Sequence, residues 1–324
     1  MDANGPNGGV ELSTAEGTRL IDQIAEVGRP VMVLSGGEPL LRDDIFELAR
    51  YGADKGLRMA MGTNGTLIDD AVAAQLKRSG INRVAISLDS STSEVHDRIR
   101  GVKGSWTGAL RGIRASLQAG IGVQANVTVT RQNSHDIEPI LAMVRRLGIT
   151  DVHLFFLIPT GRGREEDAIR PVEYEALIRT ALSRKDDALT LRPTCAPQFI
   201  RIAKQMGLDT ERWGRGCIAG INYCRVNNNG AVTPCPYLHL VVGNVRTTSF
   251  EDIWNSTAFA AMRDPLNLKG RCGRCEYRQV CGGCRARAFS RADPGGFVRI
   301  EDADLTALFE EDPWCLHEPV NEVR

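Results

Sequence analysis

Pro30-Val31-Met32-Val33-Leu34-Ser35-Gly36-Gly37-Glu38-Pro39 is the stretch on which the fold turns. A short apolar run reads as a buried strand. The two glycines after it let backbone approach a ligand closely, and Glu38 can accept hydrogen bonds from an ammonium group. Working outward, four more short, largely apolar runs follow at 58–61, 83–88, 123–130 and 152–158, with amphipathic stretches between them. Upstream, Ser13-Thr14-Ala15-Glu16 is a capping box. Leu20, Ile21, Ile24 and Val27 follow at helical spacing before a Gly28 stop, so a helix precedes the first strand. Buried strands alternating with helices require right-handed crossovers and predict a parallel α/β sheet or barrel.

Each run ends in polar residues: Ser35 to Pro39, Thr63-Asn64-Gly65, Ser87-Leu88-Asp89, Thr128 with Thr130, and Pro159-Thr160-Gly161-Arg162-Gly163. The carboxyl ends of parallel strands are where such folds bind ligands, so these ends predict one site. No G-x-G-x-x-G follows any of the strands and no G-x4-G-K-[ST] loop is present, which leaves nicotinamide and ATP readings without an anchor. After residue 164 the strand rhythm stops, a helical segment spans about 171–183, and beyond 191 the chain turns Gly-, Asn- and Cys-rich. Two domains are therefore expected, 1–190 and 191–324.

Composition narrows the classes. The 324 residues carry 40 Lys+Arg against 40 Asp+Glu, so no basic excess exists to hold a phosphate backbone, and no nucleic-acid partner is expected. No apolar run approaches the roughly 18 residues of a membrane helix, and the first ten residues are small and polar, unlike a secretory signal. A soluble, cytoplasmic protein is expected.

All nine cysteines lie between Cys195 and Cys315, and the first 194 residues have none. Without a signal segment, this pattern favours reduced thiols that hold metal over disulfides. In order they are Cys217, Cys224 and Cys235, then Cys272-x2-Cys275-x5-Cys281-x2-Cys284, then Cys315, with Cys195 left over. Zinc bound by four cysteines is one reading, since paired C-x2-C knuckles are its usual signature. Five residues between the knuckles suit a compact loop around a larger inorganic core, and eight thiolates match two 4Fe-4S cubanes. Structural thiols are the third reading.

The order Gly-Gly-Glu-Pro, Thr-Asn-Gly, Ser-Leu-Asp and then His96-Asp97-x2-Arg100-Gly101 resembles that of a radical S-adenosylmethionine (SAM) enzyme. The cysteine-rich part resembles the SPASM extension of that family, through Cys217-x12-Gly230-x4-Cys235 and the Cys272 to Cys284 run, in which Cys281-x2-Cys284 is one residue short. Within the family it is most similar to the haem synthases of the siroheme route, which oxidatively decarboxylate iron-coproporphyrin III. Thr194-Cys195-Ala196-Pro197, Arg215-Gly216-Cys217, Cys235-Pro236-Tyr237-Leu238 and Cys281 to Ala288 carry that likeness. Other tetrapyrrole-modifying and peptide-modifying members share several of these motifs. A non-enzymatic metal-binding or electron-transfer protein is the alternative from outside the enzymes.

The resemblance implies a partial (β/α)6 barrel lacking its first strand, joined to a Cys-rich SPASM domain. It implies that Glu38 and the Gly36-Gly37 backbone receive the SAM amino group, and that Ser87 and Arg100 receive the carboxylate. Asn64 and Asp89 would lie along the ribose and methionyl parts, and the segment ending at Ile158 near the adenine. Plain alternatives are a turn at Asn64-Gly65 and an ordinary ion pair at Arg100. Cys217, Cys224, Cys235 and Cys284 would bind one auxiliary 4Fe-4S cluster, and Cys272, Cys275, Cys281 and Cys315 the other. Arg162, Arg164, Arg285 and Arg287 are the candidates for binding porphyrin propionates. A low-potential ferredoxin or flavodoxin is the implied electron donor. The family's C-x3-C-x2-C loop, which holds the SAM-cleaving cluster, does not occur in this sequence. An internal translation start and a degenerate protein are the two explanations, and the chain as it stands is expected to be inactive in SAM cleavage.

Overall fold

The computed structural model describes residues 10–159, 165–184, 188–292, 298–303 and 305–320. Helix α1 (Thr14–Val27) begins at the expected capping box: the Ser13 N–H donates to Glu16 Oε2 at 2.8 Å, and the Glu16 N–H donates to Ser13 Oγ at 3.3 Å. Leu20, Ile21 and Ile24 form its buried stripe. Then follow β1 (Val31–Leu34), α2 (Ile45–Asp54), β2 (Arg58–Thr63), α3 (Asp70–Arg78), β3 (Arg83–Ser87), α4 (Ser93–Arg100), α5 (Ser105–Gln118), β4 (Gly122–Val129), α6 (Ile137–Arg146), β5 (Asp151–Phe156), α7 (Pro171–Ser183) and β6 (Thr190–Thr194). The six strands form one sheet in sequence order. β1 to β4 pair parallel, with Leu34 opposite Met61, Thr63 opposite Ile86 and Ser87 opposite Asn126.

Two features depart from the expected strands. β6 has no counterpart in the sequence reading, because Pro193 interrupts it and a proline within a run argues against a strand; the end position in the strand order tolerates it. The strands are also not buried on both faces. Val123, Ala125, Val127 and Val129 of β4 are buried, whereas the alternate residues Gln124, Asn126 and Thr128 are half-buried. Helices cover one face, α2 on β2 and α5 on β3 and β4, so the period-2 alternation leaves a more polar second face.

Contacts divide the chain into two compact units, Leu12–Phe155 with 188–192, and Phe156–Arg184 with 193–320 and residues 10–11. In the second, α8 (Gln198–Gln205), β7 (Arg225–Val226), β8 (Ala231–Thr233), β9 (Leu240–Val241), β10 (Gly243–Asn244), α9 (Phe250–Trp254), α10 (Thr257–Arg263), α11 (Gly270–Arg274), α12 (Arg285–Ala292) and β11 (Val298–Arg299) are all short. One apolar cluster gathers Leu238, Leu240, Cys284, Phe289 and Leu308, and a smaller one gathers Val232, Ile253 and Phe259.

What ties these short pieces together is a buried ion pair. Arg287 donates from Nε to Asp312 Oδ1 at 3.1 Å and from Nη2 to Oδ2 at 3.2 Å, and both side chains are almost wholly buried. Asp312 also accepts from Gln198 Nε2 and the Cys284 N–H at 2.7 Å, and from the Trp314 N–H at 3.0 Å. The Arg287 guanidinium lies 4.7 Å from the Trp314 ring centre and 5.4 Å from that of Tyr174. Burial works to raise the Asp312 pKa, but Arg287 and the two backbone donors outweigh it and hold the carboxyl below its ordinary 3.8.

Removing one partner of such a pair strands a buried charge. Asp312→Ala is expected to destabilise the second unit by about 3–5 kcal/mol in urea unfolding followed by Trp fluorescence. A depressed carboxyl contributes stability that is complete above 3.8 and lost as pH falls through the lower folded value. The parent should therefore lose stability in that acid window, and Asp312→Asn should lack that part of the loss.

Candidate functional site

At the carboxyl ends of β1 to β4 two carboxylates act as crosslinks. Glu38, after β1, accepts from Thr63 Oγ1 at 2.7 Å, from the Asn64 N–H at 2.9 Å and from the Leu40 N–H at 3.3 Å, which fastens the end of β1 to the end of β2. Two of these donors fall on Oε1 and one on Oε2, so of the roughly four acceptor positions of a carboxylate one remains, on Oε2. Gly36 has φ 153°, and a Cβ there would meet nothing within 4 Å, so the turn after β1 is open. Asn64 directs Oδ1 to the Thr66 N–H (2.8 Å) and Oγ1 (2.6 Å). Gly65 takes a left-handed φ of 77°, and α5 approaches so closely that a Cβ on Gly112 would lie 2.2 Å from the Gly65 carbonyl.

Asp89, wholly buried, is the second crosslink. Its Oδ1 accepts from the Thr128 N–H of β4 at 2.7 Å, and its Oδ2 lies 2.5 Å from Arg100 Nε at the end of α4. Its own N–H donates to His96 Nδ1 at 3.1 Å, which assigns the His96 proton to Nε2. Burial lowers the His96 pKa and keeps the ring neutral. Asn133 donates to the carbonyls of Asp89 and Thr128 at 2.7 and 2.8 Å. Asp97 accepts from the Gly104 N–H, Ser105 Oγ and the Trp106 N–H, bracing α4 against α5. Ser87 closes β3 beside Asn126. The structure thus brings Gly36, Gly37, Glu38, Asn64, Ser87, Asp89 and Arg100 to the carboxyl ends of adjacent strands and the helix behind them. His96 and Asp97 lie inside a motif the sequence displays. Asn133 carries no signal, being one polar residue of a loop.

The eight motif cysteines divide in space. Cys272, Cys275, Cys281 and Cys315 line one open cavity. Cys284 instead belongs to the main apolar cluster of the second unit, where Cys217, Cys235 and Cys195 also pack. Cys224 packs on the smaller cluster of Val232, Ile253 and Phe259. The split between Cys281 and Cys284 is made by Gly282 and Gly283, both left-handed at φ 72° and 60°. At Gly283 a Cβ would stand 3.1 Å from the Cys272 sulfur.

Tetrahedral zinc with Zn–S near 2.3 Å needs thiols about 3.8 Å apart. Among the described residues the one trio of ligand atoms within 4.8 Å is Cys275, Glu276 and His317, and the Cys281 and Cys284 knuckle does not close on the knuckle at Cys272. The donor set of the cavity is thiol-rich, which suits an iron-sulfur core. Arg201, which lines the cavity, has a buried Nε without a hydrogen-bond partner among the described residues, an N–H available to a bound group. Burial raises the Cys275 thiol to about 11, that of Cys284 to about 11 and that of Cys224 to about 12, so these sulfurs become thiolates when a metal takes the proton's place.

The propionate candidates need correction. Arg285 is buried and donates to the carbonyls of Leu308 and Glu310 at 2.9 and 2.7 Å, with Nη2 3.8 Å from the Cys272 sulfur. Arg287 is committed to Asp312. Both serve the interior, and the alternating R-A-R-A pattern of a helix start could not reveal which face is covered. Arg162 and Arg164 lie outside the described residues.

No helix among the described residues is long and apolar enough to cross a membrane. Residues 2–144 match the radical SAM superfamily, and residues 217–285 match the iron-sulfur cluster-binding SPASM domain. The solved structure of Streptococcus suis SuiB bound to S-adenosylmethionine superposes with a TM-score of 0.71 at 16% identity, over 94% of this chain and 70% of that one, which supports the fold. The mycofactocin maturase MftC of Mycobacterium tuberculosis is 31% identical over 89% of this chain and 74% of its own. An AdoMet-dependent heme synthase of Methanosarcina barkeri is 39% identical over 322 residues, 95% of this chain and 88% of its own. Identity of that depth across both units makes this chain a member of the radical SAM superfamily, in its SPASM-bearing branch.

Proposed function

We propose that the protein, when joined to the C-x3-C-x2-C loop that holds the SAM-cleaving cluster, is a SAM-dependent oxidoreductase that decarboxylates the propionates of an iron-porphyrin, with SAM at the strand ends and two 4Fe-4S clusters in the second unit. The 39% identity to an AdoMet-dependent heme synthase over 95% of the chain carries this reading. The open acceptor position of Glu38 Oε2 receives the SAM ammonium group beside the Gly36-Gly37 backbone. Arg100, oriented by Asp89, and Ser87 receive the carboxylate, and Asn64 keeps its amide N–H groups for the ribose. Asp89 is thus a positioning residue, since its oxygens serve Arg100 and Thr128. When cleaved with an electron from a low-potential ferredoxin or flavodoxin, SAM supplies a hydrogen-abstracting carbon radical. Conversion of one propionate to a vinyl group releases CO2 and two hydrogens: one would leave as a hydrogen atom to the SAM-derived radical, and the other as a proton to solvent with its electron passing to a thiol-bound cluster. Cys272, Cys275, Cys281 and Cys315 hold one cluster, and Cys217, Cys235 and Cys284 belong to the other, to which the resemblance adds Cys224.

Anaerobic reconstitution is expected to load about eight irons per chain, the content of two cubanes. Cys272→Ala should lose about half of them. One or two zinc ions without charge-transfer absorbance would refute the cluster assignment.

With no cysteine before Cys195, the 324-residue chain should form no 5'-deoxyadenosine under dithionite. It should still bind SAM in calorimetry. Glu38→Gln should weaken that binding about tenfold or more, from the ~1.5–3 kcal/mol of a charge-assisted hydrogen bond.

The substrate is tested by adding iron-coproporphyrin III, SAM and reductant to the chain fused behind a strand bearing C-x3-C-x2-C. The porphyrin mass should fall by CO2 and two hydrogens for each propionate converted. 5'-Deoxyadenosine that depends on a peptide, with the porphyrin unbound and unchanged, would assign the protein to the peptide-modifying branch.

A further inference from the structure

Cys195 stands outside the cysteine motifs, yet it packs with Cys217, Cys235 and Cys284 on one apolar cluster, while Cys224 packs on another. We propose that Cys195, and not Cys224, is the fourth protein ligand of the cluster held by Cys217, Cys235 and Cys284. The proposal rests on the two-cluster reading of the second unit and changes its ligand set.

Two observations support it independently of packing. Cys195 is the one non-glycine residue among the described residues with a positive φ, 56°. A left-handed backbone disfavours any residue with a Cβ, and glycine would adopt it without strain. A thiol at such a position points to use of the sulfur, since strained residues collect at ligand sites. Second, Arg287 Nη1 donates to the Cys195 carbonyl at 3.2 Å, while its partner Asp312 accepts the Cys284 N–H at 2.7 Å. One buried ion pair therefore fixes the backbone of both Cys195 and Cys284. The neighbourhood of Cys224 lacks these features; the charge that acts on it is that of Arg263, which stacks on the Trp254 ring at 4.5 Å.

On ligation the Cys195 thiol gives its proton to solvent and its sulfur binds iron, with no change of oxidation state. Four protein thiolates leave no open iron at this cluster. Its part in the reaction is then to accept an electron without binding the substrate.

The test compares anaerobically reconstituted Cys195→Gly, Cys195→Asn and Cys224→Ala with the parent, by iron content and by electron paramagnetic resonance after mild oxidation. Glycine and asparagine both accept a left-handed backbone, so neither substitution adds strain, and circular dichroism checks the fold. Both Cys195 variants should lose at least one iron per chain and show a three-iron cluster signal. Cys224→Ala should keep the parent's iron and spectrum. The reverse pattern, equal losses in all three variants, or no loss at Cys195 would each overturn the assignment. A parent that binds no iron-sulfur cluster would instead overturn the two-cluster reading, and this proposal with it.

Discussion

The Arg287–Asp312 pair is the constraint on which the second unit depends. That unit consists of short helices and two- or three-residue strands, none able to bury a core alone. Asp312 has no access to water, so every donor it draws in becomes a fixed point: α8 through Gln198, α12 through Arg287, the Cys281–Cys284 loop through the Cys284 N–H, and the carboxyl-terminal segment through Trp314. Arg287 extends the frame to the Cys195 carbonyl and lies against Tyr174 and Trp314. A bidentate guanidinium-carboxylate pair sets orientation as well as distance, which a point charge would not. The backbone positions of Cys195 and Cys284 follow from this frame.

The first unit solves a similar problem with carboxylates at strand ends. Parallel strands finish with backbone N–H groups that no neighbour takes. Glu38 collects those of Leu40 and Asn64, and Asp89 collects that of Thr128 while it orients Arg100. The same groups that complete the sheet thereby form a rigid, charged rim before any ligand arrives, the arrangement that costs least reorganisation on binding. Asn133, His96 and Asp97 support this rim from behind. In both units a small number of buried or half-buried charges, each held by several hydrogen bonds or an ion pair, fix positions that apolar packing alone would leave loose.

The differences between sequence reading and structure have separable causes. β6 was hidden by Pro193, because proline signals a break wherever the chain is read without knowing that a strand lies at the end of the sheet. Arg285 and Arg287 read as ligand-binding cations, since a sequence shows charge but not the carbonyls and the carboxylate that meet it. Cys281-x2-Cys284 reads as a knuckle closing on one metal. Two left-handed glycines turn it so that its thiols serve different places.

By itself the sequence determined the strand and helix alternation, the strand-end motifs around Glu38, Asn64 and Asp89, and the set of clustered thiols. These are local properties of apolar period, turn chemistry and residue type, and they survive without knowledge of neighbours. Tertiary structure decided which thiols share a space, that Cys195 packs with Cys217, Cys235 and Cys284 while Cys224 does not, and that Asp89 pairs with Arg100. Those outcomes depend on contacts between segments tens of residues apart, brought together by a buried ion pair and by left-handed turns whose partners no local pattern encodes.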